Sequence, residues 1–156
     1  MLNSYRVWMI ASLLLLAGCN QDHQVKDSQL ALVKTTNPKP VVTDGKKTPA
    51  WVEEIRKEVS SFPELYDVAV VKGKEGTLVV YKVKHLQRFK MKKIEKKVTK
   101  SLEKKHPKEK FTVSSDYKIF LEAIRLDEKM KTSKNFSDKD AEKRFKEIVK
   151  MTEDMK

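Results

Sequence analysis

The sequence predicts an α+β domain: a small three-stranded sheet with helices packed on one face, in the order α-β-β-α-β-α, ending in an amphipathic helix. Two observations carry this. Residues 67–72 (DVAVVK) and 77–84 (TLVVYKVK) are short runs of β-branched and aromatic residues with Gly73 and Gly76 between them, the pattern of a hairpin with a slightly long turn. Around that hairpin, apolar residues recur at helical spacing in four separate segments. Runs of strand followed by helices of this size pack as a sheet with a helical layer.

The first helix starts at Thr48-Pro49, a hydroxyl at the N-cap followed by proline at the first helical position. Trp51, Val52, Ile55, Val59 and Phe62 then share one face, and Pro63 marks the end. In the second strand Val79, Tyr81 and Val83 point one way, while Lys82 and Lys84 point the other. Residues 88–105 (RFKMKKIEKKVTKSLEKK) form the next helix. Its apolar stripe is Met91, Ile94, Val98 and Leu102, and His106-Pro107 terminates it because proline cannot continue a helix and restricts the residue before it.

Residues 111–115 (FTVSS) are a short third strand. Ser115 or Asp116 caps a helix with Tyr117, Phe120, Leu121 and Ile124 inward. A joint at 131–136 precedes Ser137-Asp138-Lys139-Asp140, a helix-start pattern. Ala141, Phe145, Ile148, Thr152 and Met155 follow as a stripe that docks on the domain or on a partner. The organisation expected is a leader at 1–18, a lipidated cysteine and tether at 19–47, a domain at 48–131 and a helical extension at 132–156. The compact part is then only about 80 residues, so a small core and modest stability are expected.

The N-terminus restricts the compartment. A short polar segment with Arg6 is followed by an apolar run, residues 7–16, and the small residues Ala17 and Gly18. This is the layout of a secretory signal. The run is too short for a spanning helix, which needs roughly 20 residues. Cys19 is the single cysteine in 156 residues, which excludes an intramolecular disulfide and a zinc site built on paired cysteines. The ending Leu16-Ala17-Gly18-Cys19 resembles the bacterial lipobox. An ordinary signal peptide or a chance cysteine is the alternative, but the apolar run, small residues and cysteine agree in register. The resemblance implies a diacylglyceryl group on the Cys19 sulfur and cleavage before it. The mature chain is then anchored by lipid to the outer face of the cell membrane. The tether, polar and broken by Asn37-Pro38, Lys39-Pro40 and Asp44-Gly45, would span roughly 30 Å root-mean-square.

The chain has 34 Lys and Arg against 22 Asp and Glu, a formal charge of +12. Loss of residues 1–18 removes Arg6 alone and leaves +11. A strongly positive chain seeks an anionic partner. The charge concentrates in residues 88–105, which hold nine basic and two acidic side chains. At 100° per residue, Lys90, Lys92, Lys93, Lys96, Lys97, Lys100 and Lys104 lie opposite the apolar stripe, with Phe89 among them unless it precedes the first full turn. The face is either a solvated one that favours solubility or a contact surface for anionic lipid, teichoic acid or peptidoglycan carboxylates. Nucleic acid is not expected: the compartment is wrong, arginine is scarce, and single-strand binders need several stacking aromatics beside the charge.

No catalytic residue, metal site or cofactor is expected. HExxH, Walker A and GxGxxG patterns are absent. Ser101-Leu102-Glu103-Lys104 matches S-x-x-K, but neither SDN nor KTG accompanies it. Glu53, Glu54 and Glu58 are an exposed helix face, His85 is structural or exposed rather than a pH sensor, and Trp51 and Tyr81 are core.

The lipobox, the polar tether, the hairpin DVAVVKGKEGTLVVYKVKH, the basic helix RFKMKKIEKKVTKSLEKKHP and FTVSSDYKIF together resemble the YhcN/YlaJ sporulation lipoproteins of endospore-forming bacilli, the YlaJ branch more closely. The similarity covers residues 66–130 and the lipobox. Many members carry Asp-Pro before the last helix, where this chain has Ser115-Asp116-Tyr117. The resemblance implies a non-enzymatic lipoprotein of the forespore or spore membrane, with a role in sporulation or germination and no established catalytic residues. A self-associating scaffold built on the C-terminal helix and the sheet edge is the alternative from another class. A vegetative lipoprotein is a third.

Overall fold

Two central strands set the architecture. In the computed structural model, which describes residues 37–154, β2 (Leu65–Lys72) pairs antiparallel with β3 (Thr77–Val83), with Val70 opposite Val79 and Lys72 opposite Thr77. Every residue of β3 is buried, as are Val68, Ala69, Val70 and Val71 of β2. Strands apolar on both sides must be covered on both sides. The expectation of helices on one face is therefore corrected.

On one face, α1 (Ala50–Ser60) and α2 (Met91–Lys105) bring Val52, Ile55 and Val59 and Ile94, Val98 and Leu102 onto Val68, Val70, Val79, Tyr81 and Val113. On the other, α3 (Tyr117–Thr132) and α4 (Asp138–Asp154) bring Phe120 and Leu126 and Phe145 and Ile148 onto Ala69, Val71, Leu78 and Val80. The α+β class stands, with helices as two layers around the sheet.

The sheet has four strands rather than three, in the order β1-β2-β3-β4. β4 (Phe111–Ser114) runs parallel to β3. The added strand, β1 (Val41–Val42), runs parallel to β2 with Val41 opposite Val71. It lies in the segment expected to be tether. Thr43 N–H donates to the Lys72 carbonyl at 2.9 Å, Thr43 Oγ1 donates to Glu142 Oε2 at 2.5 Å, and Asn37 N–H donates to Asp67 Oδ1 at 2.8 Å. Residues 37–47 thus belong to the same compact unit as the rest of the described residues. Pairing at a strand edge uses backbone groups, so two valines in a polar stretch leave no periodicity to read.

Local signals place the starts of α1, α3 and α4 to within a residue. Pro49 occupies the N-cap of α1, and Thr48 Oγ1 donates to the Pro40 carbonyl at 2.9 Å instead of capping. Asp116 caps α3, accepting from the N–H groups of Lys118 at 2.7 Å and Ile119 at 3.3 Å. Of the side chains expected inward on α3, Phe120 is buried, Leu121 and Ile124 are half-buried and Tyr117 is exposed; Ile119, Ala123 and Leu126 complete the core. Ser137 and Asp140 cap α4 reciprocally, each side chain accepting the other's N–H at 3.2 Å. The α4 stripe of Ala141, Phe145, Ile148 and Thr152 is buried, so the C-terminal helix docks on the domain. Met155 lies outside the described residues.

Gly73 shows why that docking is tight. A Cβ there would lie 2.3 Å from a carbon of the Phe145 ring. The hairpin turn presents bare backbone, and the α4 ring fills the space.

Candidate functional site

The basic helix α2 is held by its apolar stripe. Ile94, Val98 and Leu102 are buried and Met91 is half-buried against the same core. The opposite side cannot be buried without stranding ammonium groups, so it faces water. Lys92, Lys93, Lys96, Lys97, Lys100 and Lys104 are all exposed there. The seventh expected residue, Lys90, is also exposed but sits at the N-cap rather than on the helix.

The start of α2 differs from expectation. Residues His85–Lys90 form a 3₁₀ segment with no buried residue, and the α-helix begins only at Met91. The reason is composition: HLQRFK has no apolar residue at the spacing that would reach the core. Leu86 and Phe89 are consequently 78% and 85% exposed. The first turn of α2 contains no acidic residue. Its partial positive charge from unpaired N–H groups adds to that of the neighbouring lysines.

The lysines are not equivalent. Lys97 Nζ lies 3.1 Å from Glu64 Oε1 and 5.1 Å from the Phe62 ring centroid, joining α2 to the α1–β2 turn. Glu64's own backbone N–H and Lys97 hold the Glu64 carboxyl below its usual range. Among the described residues, Lys90, Lys92, Lys93, Lys96, Lys100 and Lys104 form no ion pair. Lys105 lies 3.3 Å from Glu58 Oε2. The field therefore has one structural cation and a majority available to an external anion.

Glu53 and Glu58 have structural partners, and Glu58, expected on an exposed helix face, has a side chain only 10% exposed. Glu58 Oε1 accepts from Ser101 Oγ at 2.6 Å, tying α1 to α2. Glu53 accepts from Arg56, and Glu54 is exposed. Tyr81 is buried in the core, and Trp51 is half-buried against it. His85 is exposed. A shallow groove at the other end of the sheet, lined by Trp51, His106, Pro107, Lys108 and Glu109, has its carboxylate committed: Glu109 pairs with Lys72 at 3.0 Å and accepts from Thr77 Oγ1 at 2.8 Å.

One polar cluster escaped the sequence. Lys82 points away from the Val79, Tyr81 and Val83 face, as the alternation predicts, and is buried on the α3 side of the sheet. Its Nζ lies 2.9 Å from Asp67 Oδ2 and 4.6 Å from the Phe120 ring centroid, with the Tyr117 and Tyr66 rings at 5.7 and 5.9 Å. A one-residue irregularity between Leu65 and Val68 sets Tyr66 and Asp67 against Lys82, and Asp67 has φ 137°. A lysine at an alternating position carries no sign of such a partner, and nothing in the sequence pattern pointed to the bulge.

Leu16, Ala17, Gly18 and Cys19 lie outside the described residues. No helix among the described residues is long and apolar enough to cross a membrane. Comparison of the chain with protein-family models, with curated proteins and with solved structures returns no match.

Proposed function

We propose that this protein is a non-enzymatic lipoprotein of the bacterial cell envelope, anchored outside the cytoplasm through Cys19, whose α+β domain engages an anionic envelope surface through the lysine face of α2. The observation that carries it is the two-sidedness of α2. One side is committed to the core, and the other presents six exposed lysines along the helix, Lys97 alone among them paired with an acid. The resemblance to YhcN/YlaJ lipoproteins supports a forespore or spore membrane setting and a role in sporulation or germination.

Two measurements test it. Replacement of Lys93, Lys96, Lys97 and Lys100 by glutamine leaves the fold intact and weakens salt-sensitive binding to cell wall or anionic lipid; unchanged binding reduces the face to a solubility device. A fluorescent fusion followed through growth and sporulation, beside its Cys19→Ser variant, tests the anchor and setting. Signal around the forespore that is lost in the variant is expected. Signal over the whole vegetative membrane removes the spore role.

A further inference from the structure

The exposed large apolar side chains among the described residues are Tyr66, Leu86, Phe89 and Tyr117. The topology gathers them. Tyr66 lies at the start of β2, Leu86 and Phe89 just beyond the end of β3, and Tyr117 just beyond the end of β4. β2 is antiparallel to β3, and β3 is parallel to β4. The start of β2 and the ends of β3 and β4 therefore form one end of the sheet. Tyr66 and Tyr117 both flank the Lys82 ammonium.

At that end the 3₁₀ segment has three residues per turn, so Leu86 and Phe89 project from the same side. Around them stand Lys84, Arg88, Lys90, Lys92 and Lys93, all exposed, and no acidic residue occurs between Lys84 and Ile94. The nearby carboxylates face inward partners: Asp67 lies against Lys82, Glu64 against Lys97 and Asp116 against the N–H groups of α3, while Glu95 is half-buried with Ser115 Oγ 3.5 Å from its Oε2. An apolar pair ringed by free cations suits a surface that is anionic at its headgroups and apolar beneath them.

The chain arrives at this same end. β1 is parallel to β2, and Asn37 is bonded to Asp67 four residues before Val41 meets Val71. Cys19 is 18 residues upstream of Asn37, a length that reaches about 60 Å at full extension.

We propose that this end of the sheet is a membrane-docking face: Leu86 and Phe89 enter the interfacial layer of an anionic phospholipid bilayer, with Lys84, Arg88, Lys90, Lys92 and Lys93 on the headgroups. The proposal deepens the lysine-face reading and rests on its extracytoplasmic setting. It also divides α2. Lys104 lies about 18 Å along the helix from Lys92, beyond a Debye length of roughly 8 Å, and contributes little to lipid contact.

The test uses the full chain with Cys19→Ser, so that a single introduced cysteine carries an environment-sensitive fluorophore at Phe89→Cys or at Lys104→Cys. Vesicles of phosphatidylglycerol and phosphatidylcholine, with and without a doxyl-labelled lipid quencher, are added. The expected result is a blue shift and lipid quenching at position 89 but not at 104, on phosphatidylglycerol vesicles. With the label moved to Lys92→Cys, the added pair Leu86→Ser and Phe89→Ser lowers the blue shift and lipid quenching at that position without changing circular dichroism. Equal water exposure at both positions on bound vesicles overturns the proposal, whether the leader or the lysine field holds the chain there. Quenching at 104 as strong as at 89 overturns it in favour of broadside contact. The same quenching on phosphatidylcholine removes the cationic ring from the mechanism. If the lysine-to-glutamine series still weakens salt-sensitive wall binding while position 89 stays in water, the lysine-face reading survives and this one fails.

Discussion

Asp67 and Lys82 form an ion pair across an irregular step of the β2–β3 ladder, Oδ2 to Nζ 2.9 Å, with side chains 0% and 7% exposed. The same carboxylate accepts the Asn37 N–H, so one buried charge pair fixes both the bulge and the point where the N-terminal segment joins the sheet. Lys82→Met takes the cation from a carboxylate shut away from solvent. A loss of about 3–5 kcal/mol is expected from a broken buried pair, measured by urea unfolding. Adding Asp67→Gly, which suits the positive φ, restores part of that loss. A Lys82→Met change within 0.5 kcal/mol, roughly the level of neutral surface substitutions, would show that the pair contributes nothing.

Gly73→Ala drives a methyl group into the Phe145 ring. Overpacking of this kind costs about 1–3 kcal/mol, so the melting temperature falls. Combining it with Phe145→Leu returns some of the loss. An unchanged melting temperature would mean that α4 slides aside without cost.

Glu122 links α3 to α4 through Arg144 and also accepts from Arg125 at 2.6 Å. Burial pushes its carboxyl up, but the hydrogen bonds from Arg144 and Arg125 outweigh burial and hold it below its usual value. The folded state therefore binds fewer protons at this site than the unfolded chain in acid. The contribution is complete above the ordinary glutamate value, about 4.3, and is lost as pH falls through the lower folded value. Urea midpoints below pH 5 should fall more steeply in the native chain than in Glu122→Gln. Parallel slopes would exclude the mechanism.

The α2 lysines divide by partner. Lys93→Gln, Lys96→Gln and Lys100→Gln should each leave stability within about 0.5 kcal/mol. Lys97→Gln breaks a half-exposed bridge to Glu64 and should cost a little more, up to about 1 kcal/mol, less at high salt. Thermal melts at two salt concentrations separate them.

Tyr81 is fully buried, and its hydroxyl finds no hydrogen-bond partner among the described residues. Burial, with the Glu95 charge beside it, pushes the phenol well above its ordinary range. Tyr81→Phe keeps the ring and removes the stranded hydroxyl, so stability stays equal or rises by up to about 1 kcal/mol. A clear fall would reveal a partner for that oxygen.

Much of the fold was written in local pattern. The hairpin, the stripe Ile94–Val98–Leu102, the cap at Asp116, the S-x-x-D start of α4 and its stripe through Phe145 all follow from periodicity and turn chemistry, which act within a few residues. The exposure of the α2 lysines was legible for the same reason, since an ammonium opposite a buried stripe has nowhere else to go.

Contacts distant in sequence were decided only by the tertiary structure. The runs VAVV and TLVVY needed cover on both faces, yet which helices supply it depends on chain crossing rather than on the strands. Val41 and Val42 became a strand because β2 offered a free edge. Lys82 is buried because a bulge turned Asp67 toward it and the Phe120 ring closed over its ammonium. Leu86 and Phe89 were ordinary letters in a basic segment until the sheet set them at the end where Asn37 arrives. Periodicity assigns a side chain to a face; what stands opposite that face is fixed by packing between segments tens of residues apart, and no short window contains that information.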